Sequence, residues 1–237
     1  TDEQIQSVVT LTERYLAAPE HEGQTPRERQ AGRDVERVKL IESDIGPLVR
    51  GFLAGEIPIG DFKPKIDGIN KRHEYWGFKG IKGQMFFNML LNAAESAEEC
   101  AEELRQVIEC PRNEEAARSR LKNFQSYVKR IGDAYVEAGE SARKKPWVSS
   151  IPFFVSYFWQ VQDRATWPVY YTNSVNVMND MNLWKPTGDI TGDYLLFKHV
   201  HEELAEALTE KFGTEFDLYG VEHVFWFKDG NPYGGDK

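Results

Sequence analysis

Cysteine is nearly absent from this chain: there are two, Cys100 and Cys110, in 237 residues. That scarcity argues against a disulfide-stapled fold and fits a reducing cytoplasm. On one helix the two would lie about 15 Å apart at about 1.5 Å per residue, too far to bridge each other. No apolar run reaches the roughly 18 residues that a membrane-spanning helix needs. The opening TDEQIQSVVT lacks a signal-peptide pattern, and it lacks a Met, which fits a processed or excised piece. Enzyme signatures are missing too. There is no G-x-x-x-x-G-K-[ST] phosphate loop and no G-x-S-x-G elbow. No Glu is followed two residues later by Lys, so the E-x-K element of the common restriction-nuclease core is absent. Neither Cys sits in a recognisable catalytic setting. The expectation is a chain with no catalytic residue, no metal and no cofactor of its own.

What is present is apolar and aromatic. Hydrophobic residues make up 41% and aromatics 13%, enough for a sizeable core and against extended disorder. Net charge is −9, so nothing in the overall charge favours nucleic acid, and any such contact needs a local basic patch. The periodicity predicts a mainly α fold, a compact multi-helix domain of nine or ten helices with little or no β-strand. Residues 1–228 form one module, with 1–74 and 75–228 as conceivable sub-lobes, and 229–237 a flexible tail or linker.

Several elements have local reasons. Thr25-Pro26 reads as an N-cap with Pro at the first helical position, opening a long helix to about Ala54 with a break at Gly46-Pro47. GEIPIGDFKP reads as a linker before a short helix near 64–72. Ser96 and Glu99 have capping-box spacing. A long helix follows over 113–145, with Leu121, Phe124, Val128 and Ile131 stepping by three or four. SIPFFVSYFWQVQ is apolar nearly all round and reads as the central buried helix, with Ile151, Phe154 and Phe158 on one face. WPVYY reads as extended, because Pro168 biases Trp167 away from helix, with Thr172, Asn173 or Ser174 capping the next helix. His199 and His201 are two apart on a helix and face about 200° away from each other, so they do not share a metal. Glu222-His223 reads as a surface pair, and the acids around Glu98 to Glu103 as a solvated face.

The stretch YWGFKGIKGQMFFNMLLN, residues 75–92, is the most suggestive. From Lys63 to Lys82 there are six basic residues against two acids, an excess of +4 in an acidic chain. Gly77, Gly80 and Gly83 suit a twisting loop, and backbone amides at glycines and a helix start favour an anion. The candidate nucleic-acid contacts are Lys71, Arg72, Trp76, Lys79 and Lys82. In this reading Lys79 and Lys82 reach a phosphate backbone, while Trp76 or Phe78 anchors the loop in the core. Lys82 stands near a helix N-terminus, where the dipole disfavours a cation. Trp167, Tyr170 and Tyr171 are candidates for a base pocket. The plainer alternative is a tightly packed turn whose aromatics fill the core and whose lysines are merely solvated.

Three stretches together, WGFKGIKGQMFFNMLLN, IPFFVSYFWQVQDRATWPVYYTNS and LYGVEHVFWF, resemble the N-terminal region found ahead of the motor in some McrB-like AAA+ proteins of prokaryotic restriction and defence systems. The likeness spans residues 75–227. It implies a specificity module that binds DNA and reads a modified base, with an NTP-driven motor in the same polypeptide and a separate nuclease subunit. The low pI departs from that expectation and leaves a protein-interaction or oligomerisation module as the alternative. A further alternative is a stand-alone enzyme whose pocket is lined by Trp159, Trp167, Tyr170 and Tyr171.

Overall fold

The computed structural model describes residues 1–230 and 232–233. It is mainly α, as the periodicity predicts. The α-helical segments are α1 (Asp2–Leu16), α2 (Pro26–Leu40), α3 (Gly46–Leu53), α4 (Ile59–His73), α5 (Phe86–Ala93), α6 (Ala97–Ile108), α7 (Glu114–Glu137), α8 (Ile151–Gln162), α9 (Thr172–Asp180), α10 (Ile190–Phe212) and α11 (Leu218–Asp229). Among the described residues the β content is one isolated bridge, His21 with Gln24. No helix there is long and apolar enough to cross a membrane.

α8 is the axis of the core. Ten of its twelve residues are buried, and Phe154 and Phe158 have no exposed surface. Phe154 meets the rings of Phe78, Phe86, Phe87 and Phe158 at centroid distances of 5.2–5.7 Å. Around α8 pack α3, α6, α7 and α10, and α1 lies against α10 and α11. Helices from before residue 74 thus pack on helices from after it. Trp159 donates its indole N–H to the Val107 carbonyl at 2.8 Å, and Gln162 reaches Ile108 at 2.7 Å, tying α8 to the end of α6.

Local chemistry explains most of the boundaries. The Thr25 hydroxyl accepts from the Glu28 N–H at 3.2 Å and the Glu28 carboxylate accepts the Thr25 N–H at 2.8 Å, a complete capping box. Ser96 caps α6. Gly213 ends α10 in the left-handed region that glycine favours.

Several expectations need correction. The chain does not break at Gly46-Pro47. A π turn, Ile41–Ile45, links α2 and α3, because Pro47 has no N–H to give to the helical ladder. GEIPIGDFKP is not all linker: α4 begins at Ile59 and carries Pro64 inside it. The buried Phe62, stacked on Phe52 at 4.1 Å, outweighs the proline penalty. The long helix α7 stops at Glu137, ahead of Gly139 with φ +90°. Residues 167–171 are non-helical, as Pro168 dictates, but the N-cap of α9 is Tyr171 with no side-chain bond. Asp229 closes α11 rather than opening a tail, and Tyr233 lies edge-on to His21 at 6.0 Å. The tail expectation for Asn231 and residues 234–237 lies outside the described residues.

Candidate functional site

The loop between α4 and α5 departs from regular backbone at almost every step. Glu74 (φ +54°), Trp76 (φ +48°) and Gly77 (φ +65°) are all left-handed. For a bulky residue such as Trp76 that conformation is a genuine outlier, of the kind that clusters at functional sites. Ile81–Met85 then forms a π turn that leads into α5. Gly83 is obligatory: a Cβ there would collide with the Phe78 carbonyl.

Trp76 is held in place from two sides. Its indole N–H donates to both oxygens of Glu222 on α11, at 2.9 and 3.0 Å. The Arg37 guanidinium of α2 stands over its ring, 4.9 Å from the centroid, and over Tyr75 at 5.5 Å. Arg37 in turn pairs with Asp34 at 3.1 Å and comes within 3.9 Å of Glu222, while Asp34 meets His223 at 3.1 Å. Burial pushes the Glu222 carboxyl up, opposed chiefly by the charges of Arg37 and His223. Glu222 and His223 are therefore not a surface pair. Both are buried, and Glu222 serves as the acceptor that fixes a strained tryptophan.

Behind this loop lies a cavity of about 400 Å³, with walls that include Trp76, Phe78, Phe153, Tyr157 and Tyr170. Its volume falls within the range of small-ligand pockets. Lys82 sits at its mouth, with the ammonium 3.5 Å from the centroid of the Phe153 ring. Among the described residues no carboxylate lies within 4.0 Å of it. Desolvation against this apolar wall lowers its pKa. The N–H groups of Ile81 and Lys82 begin the turn without a backbone acceptor. Ile81 and Met85, one turn apart, are 56% and 49% exposed and form an apolar lip. A wider groove of about 570 Å³ runs between α2 and the start of α11, lined by Asp34, Val38, Arg164 and Tyr219 among others. The smaller cavity is where strain, an unpaired amine and an aromatic wall coincide.

The residues singled out from sequence divide sharply. Both acids of the basic stretch are spent on lysines, Asp67 on Lys63 and Glu74 on Lys79. Lys65, Lys71, Arg72 and Lys82 remain without a carboxylate partner among the described residues, and all four are exposed, Lys65 in the middle of α4, Lys71 and Arg72 in its last turn, and Lys82 in the loop. Trp76 is buried with its N–H committed to Glu222, so its part is to form the wall. Phe78 is buried as well, against Tyr157 at 4.3 Å. Of the three base-pocket aromatics, Tyr170 lines the cavity and Tyr171 lies beneath Gly77. Trp167 has no exposed surface and packs on Trp159 at 5.1 Å, so it does not face a ligand there. Trp159 is equally enclosed, which leaves the four aromatics of the enzyme-pocket alternative without a shared cavity.

The two histidines of α10 separate as their spacing demands. His199 is exposed on Glu114, and His201 is buried with its Nδ1 3.0 Å from the Phe197 carbonyl. Glu114, His199 and Glu202 come close enough to hold an ion, but the Lys198 ammonium already bridges the two carboxylates at 3.2 and 2.6 Å. Phe153, Tyr157, Arg37 and Glu222 escaped the sequence reading as site residues. An acid inside the apolar run LYGVEHVFWF was the one available signal, for Glu222. No protein-family model, no curated protein and no solved structure matches this chain.

Proposed function

We propose that this chain is a non-catalytic recognition module for nucleic acid, in which the aromatic cavity takes an unstacked base and the end of α4 takes phosphates. The observation that carries the reading is a conjunction of α4 and the loop that follows it: Lys65, Lys71 and Arg72 stand exposed on α4 without a carboxylate partner among the described residues, and the loop brings Lys82 to an aromatic cavity walled by a strained tryptophan. Aromatic faces stack on any base, and unpaired surface cations release counterions from a phosphate backbone. The net charge of −9 confines contact to this patch. In keeping with the resemblance, the module directs an AAA+ motor in the same polypeptide and a nuclease subunit, in the cytoplasm, toward a modified base in DNA.

The test is fluorescence anisotropy with single strands, plain duplex and duplex carrying a modified base, from about 50 to about 200 mM salt. Binding should weaken with salt. The triple variant Lys65→Ala, Lys71→Ala, Arg72→Ala should flatten the salt slope by roughly 2–3 log units per log unit. An absence of binding at low salt, or a triple variant that binds like the parent, overturns the reading. The exposed pair Ile81 and Met85 favours a second one, a protein-interaction module without DNA contact.

A further inference from the structure

We propose that Lys82 is a carbonyl-capture residue: its ε-amine forms an imine with an aldehyde that enters the aromatic cavity. The inference deepens the nucleic-acid reading and rests on it for one source of the aldehyde, the ring-opened sugar of an abasic nucleotide. The other source is a free aromatic aldehyde.

Three features of the site support this. First, although Lys82 is an exposed residue, its amine is laid 3.5 Å from the centre of the Phe153 ring, beside the cavity that both residues line. Second, among the described residues no carboxylate pairs with it to hold its proton, whereas Lys63 and Lys79 in the same stretch are both paired. Third, the surrounding walls are apolar and aromatic, which disfavours the ammonium form and suits a flat carbonyl compound. An abasic nucleotide has no base to keep it stacked, so it is cheap to extrude, and its sugar would occupy the mouth where the amine stands.

The step balances without a redox partner. The ammonium gives a proton to solvent, and the nitrogen lone pair then forms a bond to the carbonyl carbon. The carbonyl π pair moves to oxygen, which takes up a proton, while nitrogen loses a second proton to solvent. The hydroxyl of this carbinolamine is protonated and leaves as water as the nitrogen lone pair closes the C=N bond. Solvent at the exposed Lys82 takes and returns those protons.

The experiment treats the full chain with benzaldehyde in one arm and with an abasic-site single strand in the other, each with cyanoborohydride, and locates adducts by peptide mass spectrometry. Lys82 should be labelled severalfold ahead of Lys65 and Lys71, which are likewise exposed and without a carboxylate partner among the described residues but do not line the cavity. Lys82→Arg, checked for folding by circular dichroism, should remove that adduct and leave the others. Labelling of Lys82 in both arms supports the proposal together with the nucleic-acid reading. Labelling by benzaldehyde alone, with no DNA adduct and no DNA binding, supports the capture site while the DNA reading falls. Labelling of Lys82 no greater than that of Lys71 in both arms overturns the proposal, whatever the anisotropy shows.

Discussion

α8 and the loop that faces it are built on opposite principles. α8 is regular and almost wholly buried, and several of its polar side chains tie it to its neighbours: Trp159 donates to α6, the Tyr157 hydroxyl accepts from Asn70 of α4, and Ser156 accepts the Tyr170 N–H at 2.8 Å. The loop over residues 74–85 has three left-handed residues, a π turn, a glycine with no room for a methyl group, two exposed apolar side chains and an unpaired lysine. Phe78 joins the two regions, since its ring packs on Phe154, Tyr157 and Phe158. The difference teaches where the molecule tolerates strain. A left-handed tryptophan costs on the order of 1–3 kcal/mol, and it persists because a dense aromatic layer below and a buried carboxylate above leave it no alternative. Backbone irregularity held so firmly is the feature on which the proposed recognition role rests.

Substitutions can break that contrast, and the core should fail hardest. Phe154→Ala should cost about 3–5 kcal/mol in a denaturant titration, because four neighbouring rings cannot collapse into the space together. An effect below about 1 kcal/mol would mean that α8 is not the axis of the core. Glu222→Leu should come next, at about 1–3 kcal/mol, since it leaves the buried Trp76 N–H without its acceptor while Arg37 keeps Asp34 at 3.1 Å. It should also weaken oligonucleotide binding by loosening the cavity wall, whereas a purely structural Glu222 would lower stability and leave the binding of the folded fraction intact.

Acid sensitivity sharpens the comparison on the core side. Burial lowers the His201 pKa from 6.5 to about 4. Its neutral form therefore contributes stability that is fully present above about pH 6.5 and is lost as pH falls toward about 4. The total is about 3 kcal/mol. His201→Leu should remove this component, seen as a smaller stability loss between those pH values than the parent shows. Parallel pH profiles for the two proteins would contradict it. Within the loop, Gly83→Ala should cost about 1–3 kcal/mol through the clash with the Phe78 carbonyl. Lys79→Ala should lie within about 0.5 kcal/mol, because both partners of its ion pair are exposed.

The sequence conveyed the regular half of this molecule better than the irregular half. Caps at Thr25 and Ser96 are local chemistry and were legible, as was the all-round apolar character of α8. The helix through Pro64 was not, because the deciding interaction is the stacking of Phe62 on a residue of another helix. The site was half legible. The excess of charge from 63 to 82 and the glycine spacing marked the region. Which cations are free depends on the pairing of Glu74 and Asp67, and which aromatics line the cavity depends on packing across the chain. Glu222 meets Trp76 across 146 positions, and no spacing rule joins them.

The central claim is that a base enters the cavity behind the glycine loop. A single strand carrying 2-aminopurine tests it most directly, since stacking on an aromatic wall quenches that base analogue. The account predicts quenching on titration with the parent protein, and its loss with Thr172→Met, which fills the cavity from its rim without adding an aromatic face while leaving Lys65, Lys71 and Arg72 to hold the backbone. Fluorescence that stays unquenched while the strand is bound, or equal quenching by parent and variant, would contradict it.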